Sequence, residues 1–159
     1  MTDLEEVWLP AVGYEGLYEV SNHGRVRSLD RIDANGRRRK GRILLPVKNL
    51  KGGRLRVDLY RGGQKRMLLI HRLVLMTFVG PAPDGMEACH NDGNHTNNAP
   101  NNLRWDTSSA NKLDSVRHGT HANAIKTHCP RSHPYDSVNT YIDSKGKRRC
   151  RACWRPQDA

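Results

Sequence analysis

The chain has 159 residues, of which 36% are hydrophobic and only one is Phe, so several small supported units fit better than one large core. Lys and Arg outnumber Asp and Glu by 27 to 16, a net charge of +11 that points to a polyanionic partner, nucleic acid before an anionic membrane. No apolar run nears the roughly 18 residues of a membrane span and no basic-then-apolar leader opens the chain, so no membrane partner is expected, and the protein should be cytoplasmic with reduced or metal-bound cysteines.

Residues 1–66 read as a small β-rich module. Trp8 to Val20 alternates apolar and polar residues and is broken by Gly13 and Gly16, which is the pattern of strands and turns. Ser21 to Gly24 is a tight turn, and Arg25 to Leu29 alternates again. A further turn at Asp33 to Gly36 precedes the basic run Arg37, Arg38, Arg39, Lys40. Arg54 to Tyr60 is the cleanest alternation: Leu55, Val57 and Leu59 should face inward, Arg54 and Arg56 outward, with a hairpin through Arg61 to Gln64. This segment holds 15 Lys and Arg against 8 Asp and Glu, and only 3 of those acids follow position 23. Arg25, Arg27, Arg37, Arg38, Arg39, Lys40, Arg54 and Arg56 are therefore expected to grip the DNA backbone, in preference to forming a merely solvated basic surface. Trp8, the run Gly13 to Asn22, Gly24 to Leu29 and Gly41 to Leu44 resemble the NUMOD4 motif, a module found upstream of catalytic domains in phage and mobile-intron HNH endonucleases.

Residues 67–120 are close to neutral, with 4 Lys and Arg against 5 Asp and Glu. His71 to Val79 carries apolar side chains at 74, 75 and 78, a short amphipathic helix. Met86 to His90 is a strand, the loop 91–102 holds six asparagines that can fold it through side-chain turns, and Leu103 to Thr107 is the return strand. Thr107 or Ser108 can cap a helix over about 109–118. That helix carries Asn111 in its first turn, where it could face back toward His90. His90 is a natural general base for water attacking a phosphodiester, and Asn111 offers an amide oxygen to a hard cation such as Mg²⁺ that stabilises charge on the phosphate. Asn102 is better placed to pin the loop. His71 is taken as a structural helix-start residue.

Cys89 to Asn94, Asn97-Asn98, Asn102 to Trp105 and Asn111 together resemble the HNH, or ββα-metal, nuclease family, and most closely the H-N-N form of phage intron-encoded nickases. The resemblance implies a metal-dependent endonuclease in which His90 is the general base, Asn102 orders the loop and Asn111 binds Mg²⁺ or Mn²⁺. It further implies phage origin in a bacterial host, double-stranded DNA as substrate, and other phage DNA-processing proteins as candidate partners. Where the family usually has Asp or Asn as a second metal ligand, this chain has Cys89, a soft ligand. Three outcomes are open: metal affinity is lower, with water and the DNA phosphate filling the site; Asp92 or Asn94 substitutes; or the enzyme is weakened. The rival function is a non-catalytic DNA-binding protein that keeps the scaffold.

Residues 121–159 change character. Cys129 and His133, then Cys150 and Cys153, form two ligand pairs on tight turns with a hairpin between them (139–143, turn 144–146, 147–149). Three thiols and one imidazole predict a closed tetrahedral Zn²⁺ site that stabilises a segment too short for its own core. Lys145, Lys147, Arg148, Arg149, Arg151 and Arg155 surround it, and Lys147, Arg148 and Arg149, with Arg104 of the central unit, are counted as DNA contacts. The run from Cys129 to Trp154 resembles the zinc-ribbon tails of phage HNH proteins. The expected fold is α+β: a β-rich N-terminal module, a central ββα-metal unit and a C-terminal zinc-bound β-hairpin.

Overall fold

The computed structural model describes residues 5–33, 35–50 and 52–154. Arg155, which the sequence adds to the basic cluster of the tail, lies outside them. The architecture is α+β, made of short antiparallel strands and two helices.

Strands β1 (Trp8–Pro10), β2 (Tyr18–Ser21), β3 (Val26–Ser28), β4 (Arg31–Ile32), β5 (Arg38–Arg39) and β6 (Arg42–Ile43) come first. Of these, β1-β2-β3-β6 make one sheet, and β4 and β5 pair separately. The turn between β2 and β3 holds Gly24 at φ +74°, a backbone state that side-chain-bearing residues rarely adopt. Next, β7 (Val47–Lys48), β8 (Leu55–Arg61) and β9 (Gln64–Leu69) form a three-stranded sheet. Arg61 pairs directly with Gln64, which leaves Gly62 and Gly63, both at positive φ, as a two-residue hairpin turn. Val57 and Leu59 are buried, as the alternation requires, and Tyr60 donates its backbone N–H to the Tyr18 hydroxyl, tying the two sheets together.

Helix α1 (Ile70–Phe78) follows β9 without a break and buries Ile70, His71, Leu73, Val74 and Leu75 along one face. It ends where the N–H groups of Val79 and Gly80 both reach the Leu75 carbonyl. The hairpin β10 (Met86–His90) and β11 (Leu103–Thr107) and helix α2 (Ser108–Arg117) complete the central ββα arrangement. Thr107 caps α2 through its Oγ1, which accepts the Ala110 N–H at 3.2 Å.

A single apolar cluster joins Ala11, Tyr14, Tyr18, Val20 and Val26 of the N-terminal sheet to Val57 and Leu59 of β8, to α1, and to Ala88 and Leu103 of the hairpin. The expected boundary at 66/67 falls inside β9, and this core runs across it. Residues 1–114 form one compact unit and 115–159 a second. In the second unit β12 (Thr140–Ile142) pairs with β13 (Arg148–Cys150). Among the described residues no helix is long and apolar enough to cross a membrane.

Candidate active site

The register of the β10–β11 hairpin sorts its side chains. Ala88 pairs with Trp105 and His90 with Leu103, while Cys89 pairs with Arg104 and Glu87 with Asp106. Directly opposed antiparallel residues share a face, and faces alternate along a strand. Ala88, His90, Leu103 and Trp105 therefore share the face that joins the core with α1. Glu87, Cys89, Arg104 and Asp106 share the face toward α2, where Arg104 is ion-paired with Asp114 and Asn111 Nδ2 donates to Glu87 Oε2 at 3.3 Å. The contact shown for Asn111 is thus with Glu87.

His90 is buried at the end of β10, and its Nε2 lies 3.1 Å from Asn98 Oδ1. The Asn98 amide nitrogen donates to the Thr96 carbonyl at 3.4 Å, so its oxygen faces the imidazole. An amide oxygen only accepts, so Nε2 carries the hydrogen and Nδ1 is the basic nitrogen. Burial holds the His90 pKa below the ordinary imidazole value, opposed in part by the Asn98 bond. The His71 ring of α1 lies tilted against that of His90 with centroids 5.1 Å apart, and the His95 ring, also tilted, lies 5.4 Å from it. Burial pushes His71 down to about 3, and its Nδ1 finds no hydrogen-bond partner among the described residues. His71 therefore does more than start a helix: it is a neutral wall of the His90 pocket.

The asparagine-rich loop is organised by Asp92. Its Oδ1 accepts from the Asn94 N–H and from Asn102 Nδ2, and its Oδ2 from Asn97 Nδ2. Asn102 Oδ1 in turn accepts from the Asp92 N–H, and Asn102 Nδ2 also donates to the Asn97 carbonyl. Asn94 Oδ1 accepts from both the N–H and the hydroxyl of Thr96. The side-chain oxygens of Asp92 and Asn94 thus all or in part close the loop's own turns. Cys89 itself is 1% exposed, its thiol points to the Glu87 carbonyl at 3.5 Å, and burial pushes its pKa up. A buried protonated thiol is a poor ligand for a hard cation.

Two residues escaped the sequence reading. Asn98 stands in the motif only as half of the Asn97-Asn98 pair and, being indistinguishable by type from its neighbour, had no role of its own. Glu87 did carry a signal, because two residues before Cys89 is the same strand face.

The expected phosphate contacts fall into two groups. Arg38, Arg39 and Lys40 line a groove with Arg31 and Arg42, and Arg37 precedes them on the same exposed stretch. Arg54 lies close enough to His71 and His90 for its charge to help keep both imidazoles neutral. Arg38 pairs with Asp30 and Arg39 with Asp33, and other arginines are held in contacts of the same kind. Arg25 pairs with Glu6; Arg27 bonds Glu19 and stacks 4.3 Å over Trp8; Arg56 contacts Met67. Arg104 is bound by Asp106, Asp114 and Asn91, so its guanidinium helps hold the hairpin to α2.

In the second unit the four expected ligands converge. Cys129, His133, Cys150 and Cys153 place one ligand atom each within 4.8 Å of all the others, and His133 turns its Nδ1 inward. Cys129 Sγ is 3.5 Å from Cys153 Sγ, and the His133 Nδ1 to sulfur distances are 3.2, 3.6 and 3.8 Å. Ser132 at φ +62° folds the Cys129–His133 turn back on itself. Asn139 donates to Cys150 Sγ at 3.2 Å, an outer bond that orients a ligand. Such a cluster can hold a metal ion. Around it, Arg148 stacks on Tyr135, Arg149 pairs with Asp143, and Lys147 is exposed.

Comparison with known proteins agrees with this geometry. Residues 6–60 match the NUMOD4 motif and residues 68–113 the HNH endonuclease family. The DNA endonuclease I-HmuI of Bacillus phage SP01 is 36% identical over 113 residues, 71% of this chain and 59% of that protein. A solved structure describing DNA binding and cleavage by the HNH homing endonuclease I-HmuI matches with a TM-score of 0.55 at 34% identity, over 72% of this chain and 60% of that one. The chain thus spans about three-fifths of the length of this relative.

Proposed function

We propose that this chain, whose residues 6–60 match the NUMOD4 motif and 68–113 the HNH endonuclease family, is a metal-dependent DNA endonuclease of the phage homing type. The observation that carries the reading is the His90–Asn98 bond at the end of β10. It fixes the tautomer, and burial keeps the ring neutral, so Nδ1 is ready to take a proton from water. That water forms the new P–O bond as the ester P–O bond breaks. Asn98 positions the base, and Asn102 holds the loop that carries Asn98 through its bonds to Asp92 and Asn97. A bound Mg²⁺ or Mn²⁺ would stabilise negative charge at the phosphate. Asn111 fits such an ion through its amide oxygen, whereas Cys89 does not.

Double-stranded DNA is the proposed substrate. Support comes from the groove of Arg31, Arg38, Arg39, Lys40 and Arg42 and from Arg54 beside the base. Zinc is the proposed ion of the tail. Tetrahedral bonds of about 2.3 Å to sulfur and about 2.0 Å to nitrogen set ligand atoms about 3.5–3.8 Å apart, close to the separations observed.

Nicking of supercoiled plasmid with Mg²⁺ or Mn²⁺ tests the proposal. Cleavage should vanish with chelator and in His90→Ala while DNA binding persists. Wild-type protein that binds DNA but cuts no faster than His90→Ala would favour the rival, a DNA-binding protein on a nuclease scaffold.

A further inference from the structure

We propose that Glu87 is the second protein ligand of the catalytic cation, replacing the acid that position 89 lacks. The inference rests on the endonuclease reading above and adds a residue to it.

Three observations converge on this side chain. By strand alternation Glu87 occupies the same face of β10 as Cys89, one pleat away, and this face looks toward α2. Its carboxylate already meets Asn111, with Oε2 3.3 Å from Nδ2. The other oxygen donors near His90 are used elsewhere, since both carboxylate oxygens of Asp92 and the amide oxygen of Asn94 close loop turns. The thiol of Cys89 is bonded to the Glu87 carbonyl and is soft.

The geometry suits an ion after one small change. An Asn side chain is nearly symmetric in shape, so a half-turn of the Asn111 amide exchanges its nitrogen for its oxygen with little movement. The hydrogen-bonded pair then becomes two oxygens with nearly the same separation. Octahedral Mg²⁺ at about 2.0–2.1 Å places neighbouring ligand oxygens about 3 Å apart. Local charge also favours a cation: Glu87, Asp106 and Asp114 share this side of the hairpin with one guanidinium, Arg104. Water and a DNA phosphate oxygen would complete the shell, as is usual for Mg²⁺.

The test uses the full zinc-loaded chain and reads Mn²⁺ binding by electron paramagnetic resonance, independently of cleavage. Wild-type protein should bind one Mn²⁺ beyond the tail site. Glu87→Gln, similar in shape but uncharged, should weaken that binding tenfold or more with an unchanged melting temperature in chelator. Adding Cys89→Asp to Glu87→Gln should restore it. Wild-type affinity in Glu87→Gln overturns the assignment, and if plasmid nicking by wild type persists, the endonuclease reading survives that failure. If Glu87→Gln alone lowers the melting temperature, Glu87→Asp decides: an Asp variant that folds normally and binds Mn²⁺ better than the Gln variant supports the ligand role, and one that binds no better overturns it. Absence of any Mn²⁺ site together with absence of nicking overturns both.

Discussion

Burial of His71 ties stability to pH through one side chain. Its folded-state pKa near 3 lies far below the ordinary value of 6.5. A depressed imidazole pKa means the folded state resists a proton that the unfolded chain accepts. The stabilisation is complete above pH 6.5 and is lost as pH falls toward 3, by up to about 1.4 kcal/mol per pH unit. Melting temperatures recorded from pH 7.5 to 4.5 should fall steeply for wild type and less steeply for His71→Gln; parallel curves would remove this account. His90 is shifted in the same direction, so some slope should remain in the variant. Asn98 offers a second residue-scale measurement. Asn98→Ala frees the His90 ring and leaves its Nε2–H without that acceptor, a loss of about 1–2 kcal/mol, or roughly tenfold in nicking rate. DNA affinity should be unchanged. A wild-type cleavage rate in Asn98→Ala would show that the bond does not position the base.

The β2–β3 turn and the asparagine loop meet at Gly24. A Cβ there would sit 2.6 Å from Asn98 Cβ and 3.0 Å from the Asn98 carbonyl oxygen, at a φ of +74° that already disfavours a side chain. Gly36 has a similar φ of +72° but open space around it. Gly36→Ala should therefore lose only the backbone preference, about 1 kcal/mol. Gly24→Ala should lose about 2–3 kcal/mol and also displace the residue that holds His90, so nicking should fall more than stability alone explains. Equal effects of the two substitutions in melting and nicking assays would show that the contact carries nothing. His95 adds a parallel link, with its Nδ1 donating to the Gly52 carbonyl at 2.6 Å. The N-terminal module is thus a buttress of the catalytic loop. That was not legible in the sequence, where alternation marked β8, β9 and the hairpin but said nothing of which distant segments share a core. Local signals carried the strands, the Thr107 cap and the four tail ligands, because each depends on spacing within a few residues. Partner choice within the six-asparagine loop depends on the folded path, so Asn98 and Asn97 looked alike. The ion pair of Arg104 with Asp114, ten residues on, was not legible for the same reason.

At the scale of the whole molecule, the two units draw stability from different sources. Residues 1–114 contain the apolar cluster that runs from Ala11 to Leu103. Among the described residues of 115–154, the only fully buried side chains are Cys129 and Cys150, and both are members of the metal cluster. Burying two cysteines contributes a few kcal/mol at most, far less than the conformational entropy of ordering some forty residues. A structural zinc ion supplies apparent stabilisation of about 10–16 kcal/mol, which two buried cysteines do not replace. Removal of metal should then unfold the second unit and spare the first. Under a strong chelator, or in Cys150→Ser, trypsin should cut rapidly at Lys126, Arg131, Lys145 and Lys147, while a fragment beginning near the N-terminus and extending to about residue 114 survives. The melting transition of that fragment should match the main transition of the intact chain. Zinc at one equivalent should co-purify with wild type and be lost in Cys150→Ser. A tail that resists trypsin equally with and without metal would mean that its fold is held by something other than the ion.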